Sequence, residues 1–124
     1  LQKFSGKLPG WSYPIVGNPG EGEYRYLRFA WKSCGGQGVM LELAVDGNWP
    51  PADKPLWRYY SGQNTTGWAA RQVAAEAPQE WVEVTCDLWK DFGTLTLTGI
   101  APTAIGGDAL FDRIELLREL PAAR

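Results

Sequence analysis

The sequence predicts an all-β domain folded as an antiparallel β-sandwich. Three observations lead there. Fifteen Gly and nine Pro make turn-forming residues about a fifth of the 124-residue chain, against roughly 12% in average composition. Seven Trp, five Tyr and four Phe give the aromatic content of half-buried strands. Short runs of alternating apolar and polar residues recur between polar loops, and nothing demands a helix longer than about two turns. The length is that of one domain, residues 1–124, large enough to bury about two-thirds of the surface its unfolded chain exposes. A closed barrel is the alternative, because register is not readable from one sequence.

The elements follow in order. Pro9, Gly10, Pro14, Gly17, Pro19 and Gly20 make residues 6–22 an irregular arm, or a loop after a short first strand around Lys3-Phe4-Ser5. Residues 24–32 alternate, with Leu27, Phe29 and Trp31 on one side and Tyr24, Tyr26, Arg28 and Ala30 on the other. Cys34-Gly35-Gly36-Gln37-Gly38 reads as the turn of a hairpin into a second strand, where Val39, Leu41, Leu43 and Val45 point one way. A proline-stiffened loop around Trp49 leads to a third strand over residues 56–61. A polar loop then ends at Trp68. Residues 69–77 suit a turn of helix or another strand. Residues 81–88 alternate again, Leu95 and Leu97 mark a fifth alternation, and residues 109–117 form the last strand. Residues 119–124 are a tail.

Composition excludes several functions. Twelve basic and fourteen acidic residues give a net charge of −2, with no basic strip, so a nucleic-acid partner is not expected. There is no histidine, which removes Ser-His-Asp and Cys-His catalysis and His-ligated zinc or haem. Two cysteines, Cys34 and Cys86, match no redox or metal motif. They would pair in an oxidising compartment and act as small hydrophobes in a reducing one. No apolar run reaches the roughly 20 residues of a membrane helix. The chain opens without a signal peptide or an initiator Met and reads as a module excised from a larger protein.

Aromatics in loops are the strongest functional signal. Trp49, Trp57, Tyr59, Tyr60 and Trp68 are interleaved with Asn48, Arg58 and Gln63. Indole and phenol rings match the flat C–H face of a pyranose, and amides and guanidinium hydrogen-bond its hydroxyls. The competing reading is core, since a small domain must bury most of its tryptophans. Core is the natural reading for Trp31 and Trp81, which sit in strands, and is favoured for Trp57 and Trp68; Trp49 is the expected surface ring. The expected ligand site is therefore Trp49, Trp57 or Tyr59 with Arg58, Asn48 and Gln63, and Trp68 beside them. A sheet face carrying Tyr26, Arg28 and Glu42 is the alternative.

Other constellations are weaker. Asp46 with Asp53, or Glu42 with Glu83, would pair as glycosidase carboxylates only if the fold set them about 5 to 9.5 Å apart, and a domain this short has little room for a catalytic cleft; no enzyme is expected. A structural calcium ion would suit Asp112 with Glu21 or Glu23, if Asp112 is not paired with Arg113. Asn64-Thr65-Thr66 matches a glycosylation acceptor.

Two resemblances add to this. Trp81-Val82-Glu83-Val84-Thr85, then Asp87-Leu88-Trp89-Lys90-Asp91-Phe92-Gly93, Leu97-Thr98-Gly99-Ile100 and residues 110–116, resemble the closing half of galactose-binding-like jelly rolls, a fold of many carbohydrate-binding modules. Residues 24–32, Arg58-Tyr59-Tyr60-Ser61-Gly62 and Gly67-Trp68-Ala69-Ala70 resemble a module of large secreted planctomycete proteins that also carry c-type cytochrome domains. With no Cys-x-x-Cys-His in this chain, any haem would lie outside it. The resemblance implies a secreted, periplasmic or cell-surface setting and partner domains in the same protein. The expectation is a non-catalytic module that holds a poly- or oligosaccharide for an appended catalytic or redox domain. The alternative is a docking domain packed against the rest of its parent.

Overall fold

In the computed structural model, which describes residues 12–50 and 57–120, the chain is an all-β sandwich of two sheets. Its elements are β1 (Tyr13–Ile15), β2 (Tyr26–Cys34), β3 (Gly38–Val45), β4 (Arg58–Gly62), β5 (Arg71–Ala74), β6 (Val82–Asp87), α1 (Leu88–Phe92), β7 (Leu95–Ile105) and β8 (Asp108–Leu117). A five-stranded sheet has the order β1-β7-β3-β4-β5, and a three-stranded sheet the order β6-β2-β8. All pairs are antiparallel except β4–β5, which is parallel and departs from the expected pattern. No helix among the described residues is long and apolar enough to cross a membrane.

Alternation builds the core. Leu27, Phe29 and Trp31 of β2 meet Val39, Leu41 and Leu43 of β3, with Tyr59, Cys86, Leu88, Leu97 and Ile100 around them. The expected hairpin between β2 and β3 does not form. Each strand turns its apolar face to the same core from a different sheet, so the link between them crosses from sheet to sheet. Gly35 (φ 80°) and Gly36 permit the crossing, since a Cβ on Gly36 would lie 2.8 Å from the Ile105 carbonyl oxygen.

Two further differences have local causes. The arm contains β1, a short edge strand paired with β7, whereas the strand expected at residues 3–5 lies outside the described residues. β7 runs on through Gly99 and Pro102. β1 covers only its first residues, so Pro102 can face the open side of the sheet, where its missing N–H costs no ladder bond. The ambiguous stretch 69–77 holds β5.

β8 carries a bulge. Arg28 faces Glu115 but Ala30 faces Asp112, so β8 has one residue more than β2 between these pairs. Arg113 takes the extra step at φ 54°, a left-handed conformation uncommon outside glycine. The added residue shifts the alternation, so Phe111 and Ile114, three apart, both pack against the core.

The N-terminal side is clamped by Arg25. Its guanidinium donates to both oxygens of Asp87 (2.8 to 3.2 Å) and to the Gly17 carbonyl (2.9 Å), under the ring of Trp89. Asp87 also caps α1 by accepting from the Lys90 N–H at 3.0 Å. Burial works to raise the Asp87 carboxyl, but the hydrogen bonds from Arg25 and Lys90 outweigh it and hold it below the usual range. A depressed carboxyl contributes stability in full above its unfolded pKa and loses it as pH falls through the folded value. Urea denaturation across acid pH should therefore show wild-type stability falling below about pH 4, and falling less steeply in Asp87→Asn. Parallel curves would remove the clamp from the acid response.

Candidate functional site

The expected loop site divides when folded. Arg58 of β4 points away from the core and is 2% exposed. Its Nε donates to Glu42 Oε2 at 2.6 Å, Nη2 to the Pro50 carbonyl at 2.8 Å and Nη1 to the Ala69 carbonyl at 3.2 Å, and its guanidinium lies 5.0 Å from the Trp68 ring centroid. Arg58 thus ties the Pro50 and Ala69 carbonyls, one on each side of β4 in the sequence, to the outer face of the five-stranded sheet. Met40 and Ala44, which share that face, are fully buried. The guanidinium is sequestered rather than offered to a ligand.

Of the other residues expected there, Tyr59 points into the core and donates its hydroxyl hydrogen to Asp91 Oδ2 at 2.6 Å. Burial raises its pKa. Trp57 is half-buried against the core from the same side. Trp49, the ring expected at the surface, is half-buried. Asn48 is exposed in the turn after β3. Gln63 lies beyond the far end of β4, roughly 17 Å along the strand from Arg58. Trp68 is 38% exposed. Its loop is held by Asn64, whose side chain donates to the Trp68 carbonyl at 2.7 Å and accepts from the Thr66 N–H and hydroxyl. The amide of the expected glycosylation acceptor is engaged in that network.

The alternative face also separates. Glu42 projects from the five-stranded sheet, whereas Tyr26 and Arg28 belong to the three-stranded one. Glu42 and Glu83 are likewise in different sheets, and Asp53 lies outside the described residues. Asp112 sits mid-strand beside Ala30, while Glu21 and Glu23 precede Tyr24, near the Leu117 end of β8. Glu23 accepts from the Gly20 N–H at 2.9 Å, and Asp112 pairs with Arg113 at 4.0 Å. Asp112 is therefore not brought together with Glu21 or Glu23, the expected calcium partners, and no group of three or more metal-ligating residues occurs among the described residues.

The cysteines are free. Cys86 faces Leu27 and Cys34 ends the same strand seven residues on, about 23 Å away, beyond disulfide reach. Burial pushes the Cys86 thiol up to about 12.

The open face is the outside of the three-stranded sheet. Ala30, in the middle of β2, has Glu83 of β6 on one side and Asp112 of β8 on the other. Those carboxylate-bearing positions are roughly 10 Å apart, twice the strand spacing. Ala30 forms the floor of a depression of about 360 Å³ walled by Trp81, Glu83, Asp112 and Arg113. Trp81 is 48% exposed, the most exposed tryptophan among the described residues and the reverse of its expected place in the core. It precedes β6 by one residue, where alternation turns it outward with Glu83. The bulge sets the Arg113 guanidinium at the rim, 76% exposed. Next along the face, Arg28 Nε donates to Glu115 Oε1 at 2.7 Å, and Arg28 Nη2 reaches the same oxygen.

This arrangement joins an exposed indole face, carboxylate acceptors and a guanidinium donor around a small-residue floor. Such an arrangement offers a ring to stack on and both hydrogen-bonding signs at its edge. Trp81 was missed because its strand alternation was assigned to the core. The phase fixed by Val84 and Cys86, which pack against the core, puts Trp81 on the other side. Comparison of the chain with protein-family models, with curated proteins and with solved structures gave no match.

Proposed function

We propose that this domain is a non-catalytic glycan-binding module whose ligand rests on Trp81 across the depression over Ala30. The observation that carries the reading is the half-exposed Trp81 ring facing a polar, alanine-floored hollow. A sugar ring stacks its C–H face on the indole. Glu83 and Asp112 accept from its hydroxyls, and Arg113 donates to them. The resemblance to a module of large secreted proteins supports a role beside an appended domain, which the module would hold near its substrate by raising local concentration.

The test is a titration of intrinsic fluorescence and heat against a panel of soluble polysaccharides and monosaccharides, with and without calcium. Saturable binding to one glycan class is expected. Trp81→Ala should weaken it at least tenfold, on the order of 1.4 kcal/mol. Ala30→Leu, which fills the hollow, should do the same in a folded protein. Trp49→Ala should leave it unchanged. Binding lost with Trp68→Ala but kept with Trp81→Ala, or no binding across the panel, overturns the reading.

A further inference from the structure

We infer that the cleft between β5 and β6 is a docking slot for a short, extended, basic peptide segment of a partner protein. It lies beside the Trp81 hollow, sharing Glu83 of β6 with it, and does not depend on glycan binding. On this side of the sandwich each sheet ends: β5 is the last strand of one and β6 the edge of the other. Between them lies a cavity of about 720 Å³, with Trp31 at its floor.

Three features define the occupant. The walls are apolar, and Val73 and Val82 are 37% and 43% exposed, surface that an alternating strand would cover. The rim is acidic, formed by Glu76, Glu80 and Glu83, and none of the lining residues is basic. Charge complementarity therefore selects lysine or arginine at the positions facing outward. The slot is also closed at both ends. At one end the loop over residues 75–80 crosses between the sheets, anchored by the Ser61 hydroxyl to the Glu76 carbonyl (2.6 Å) and the Ser33 N–H to the Pro78 carbonyl (2.6 Å). At the other, Arg71 of β5 pairs with Asp91 of α1 at 3.3 Å. Between these ends β6 offers six residues, about 20 Å. Addition of a strand to the edge of β6 gives main-chain hydrogen bonds, while the valines take the alternate side chains.

The experiment uses short synthetic peptides of alternating lysine and valine, with alternating glutamate and valine as the control. Amide NMR shifts and hydrogen exchange are followed on the whole chain. The lysine peptide should bind saturably, shift and protect the amides of β6, and weaken as salt rises. Glu76→Lys with Glu80→Lys, both exposed, should weaken it tenfold or more while glycan titration stays unchanged. Val82→Arg should block it. Failure of the lysine peptide to bind, equal binding of the glutamate peptide, shifts located elsewhere, or β6 edge amides already protected in the free chain would each overturn the proposal.

Discussion

Arg58→Ala should cost about 3 kcal/mol of folding stability, the upper range for a single change in this domain. The reason is what it leaves behind. Glu42, with a side chain only 16% exposed, would hold a carboxylate with its 2.6 Å partner gone. The Pro50 and Ala69 carbonyls would lose their guanidinium donor as well. Breaking a buried ion pair typically costs 3–5 kcal/mol, and the partial exposure of Glu42 argues for the lower end. The check is urea denaturation of Arg58→Ala, Glu42→Ala and the double variant. The double should cost little more than either single, because the second change removes a group already stranded. Glycan binding should survive in any variant that remains folded. A loss below 1 kcal/mol, or additive singles, would mean that Arg58 is not what holds Glu42 and the Pro50 and Ala69 carbonyls together.

Gly62→Ala should be nearly as damaging, at about 3 kcal/mol. Gly62 ends β4 at φ 87°, where an L side chain is strained. A Cβ there would also lie 2.5 Å from the Gln37 carbonyl oxygen and 2.8 Å from the Ala77 nitrogen, both backbone atoms that cannot swing aside. Gly67 separates the two causes. Its φ is 80°, but a Cβ there would meet nothing within 4 Å, so Gly67→Ala should cost only the conformational part, about 1 kcal/mol. Equal losses at the two positions, measured by the same denaturation, would remove the close approach from the account.

The fold class was legible because alternation is a local signal. Leu27-Phe29-Trp31 and Val39-Leu41-Leu43 could only be one-sided strands, and the sandwich follows from having several of them. Which strands share a sheet was not legible. The glycine-rich link after β2 has hairpin composition, yet the same glycines serve a crossing between sheets. β1 and β5 were not distinct in the sequence because three- and four-residue edge strands owe their existence to neighbours rather than to their own pattern.

Where exposed rings and polar groups come together was not legible in the sequence. Arg58 sits among loop aromatics, which suggests a ligand contact; its guanidinium is instead taken up by Glu42 and by the Pro50 and Ala69 carbonyls, a long-range event with no local mark. The Trp81 hollow had readable signs. The spacing of three between Phe111 and Ile114, with Asp112 and Arg113 between them, marks a bulge that keeps both apolar residues inward. A lone alanine between arginine and lysine on the outward face of β2 marks a gap in an otherwise crowded row.

The place of β2 at the centre of its sheet has a consequence during biosynthesis. Both of its partners are made long after it: β6 begins at Val82 and β8 at Asp108. On a ribosome adding about 5–20 residues per second, β2 waits several seconds with Leu27, Phe29 and Trp31 uncovered. The other sheet has the same delay, since β1 and β3 both need β7. The domain thus closes only once its last strand has left the exit tunnel. Until then it is a client for any factor that shields apolar segments, and a C-terminal truncation that removes β8 would leave that state permanent.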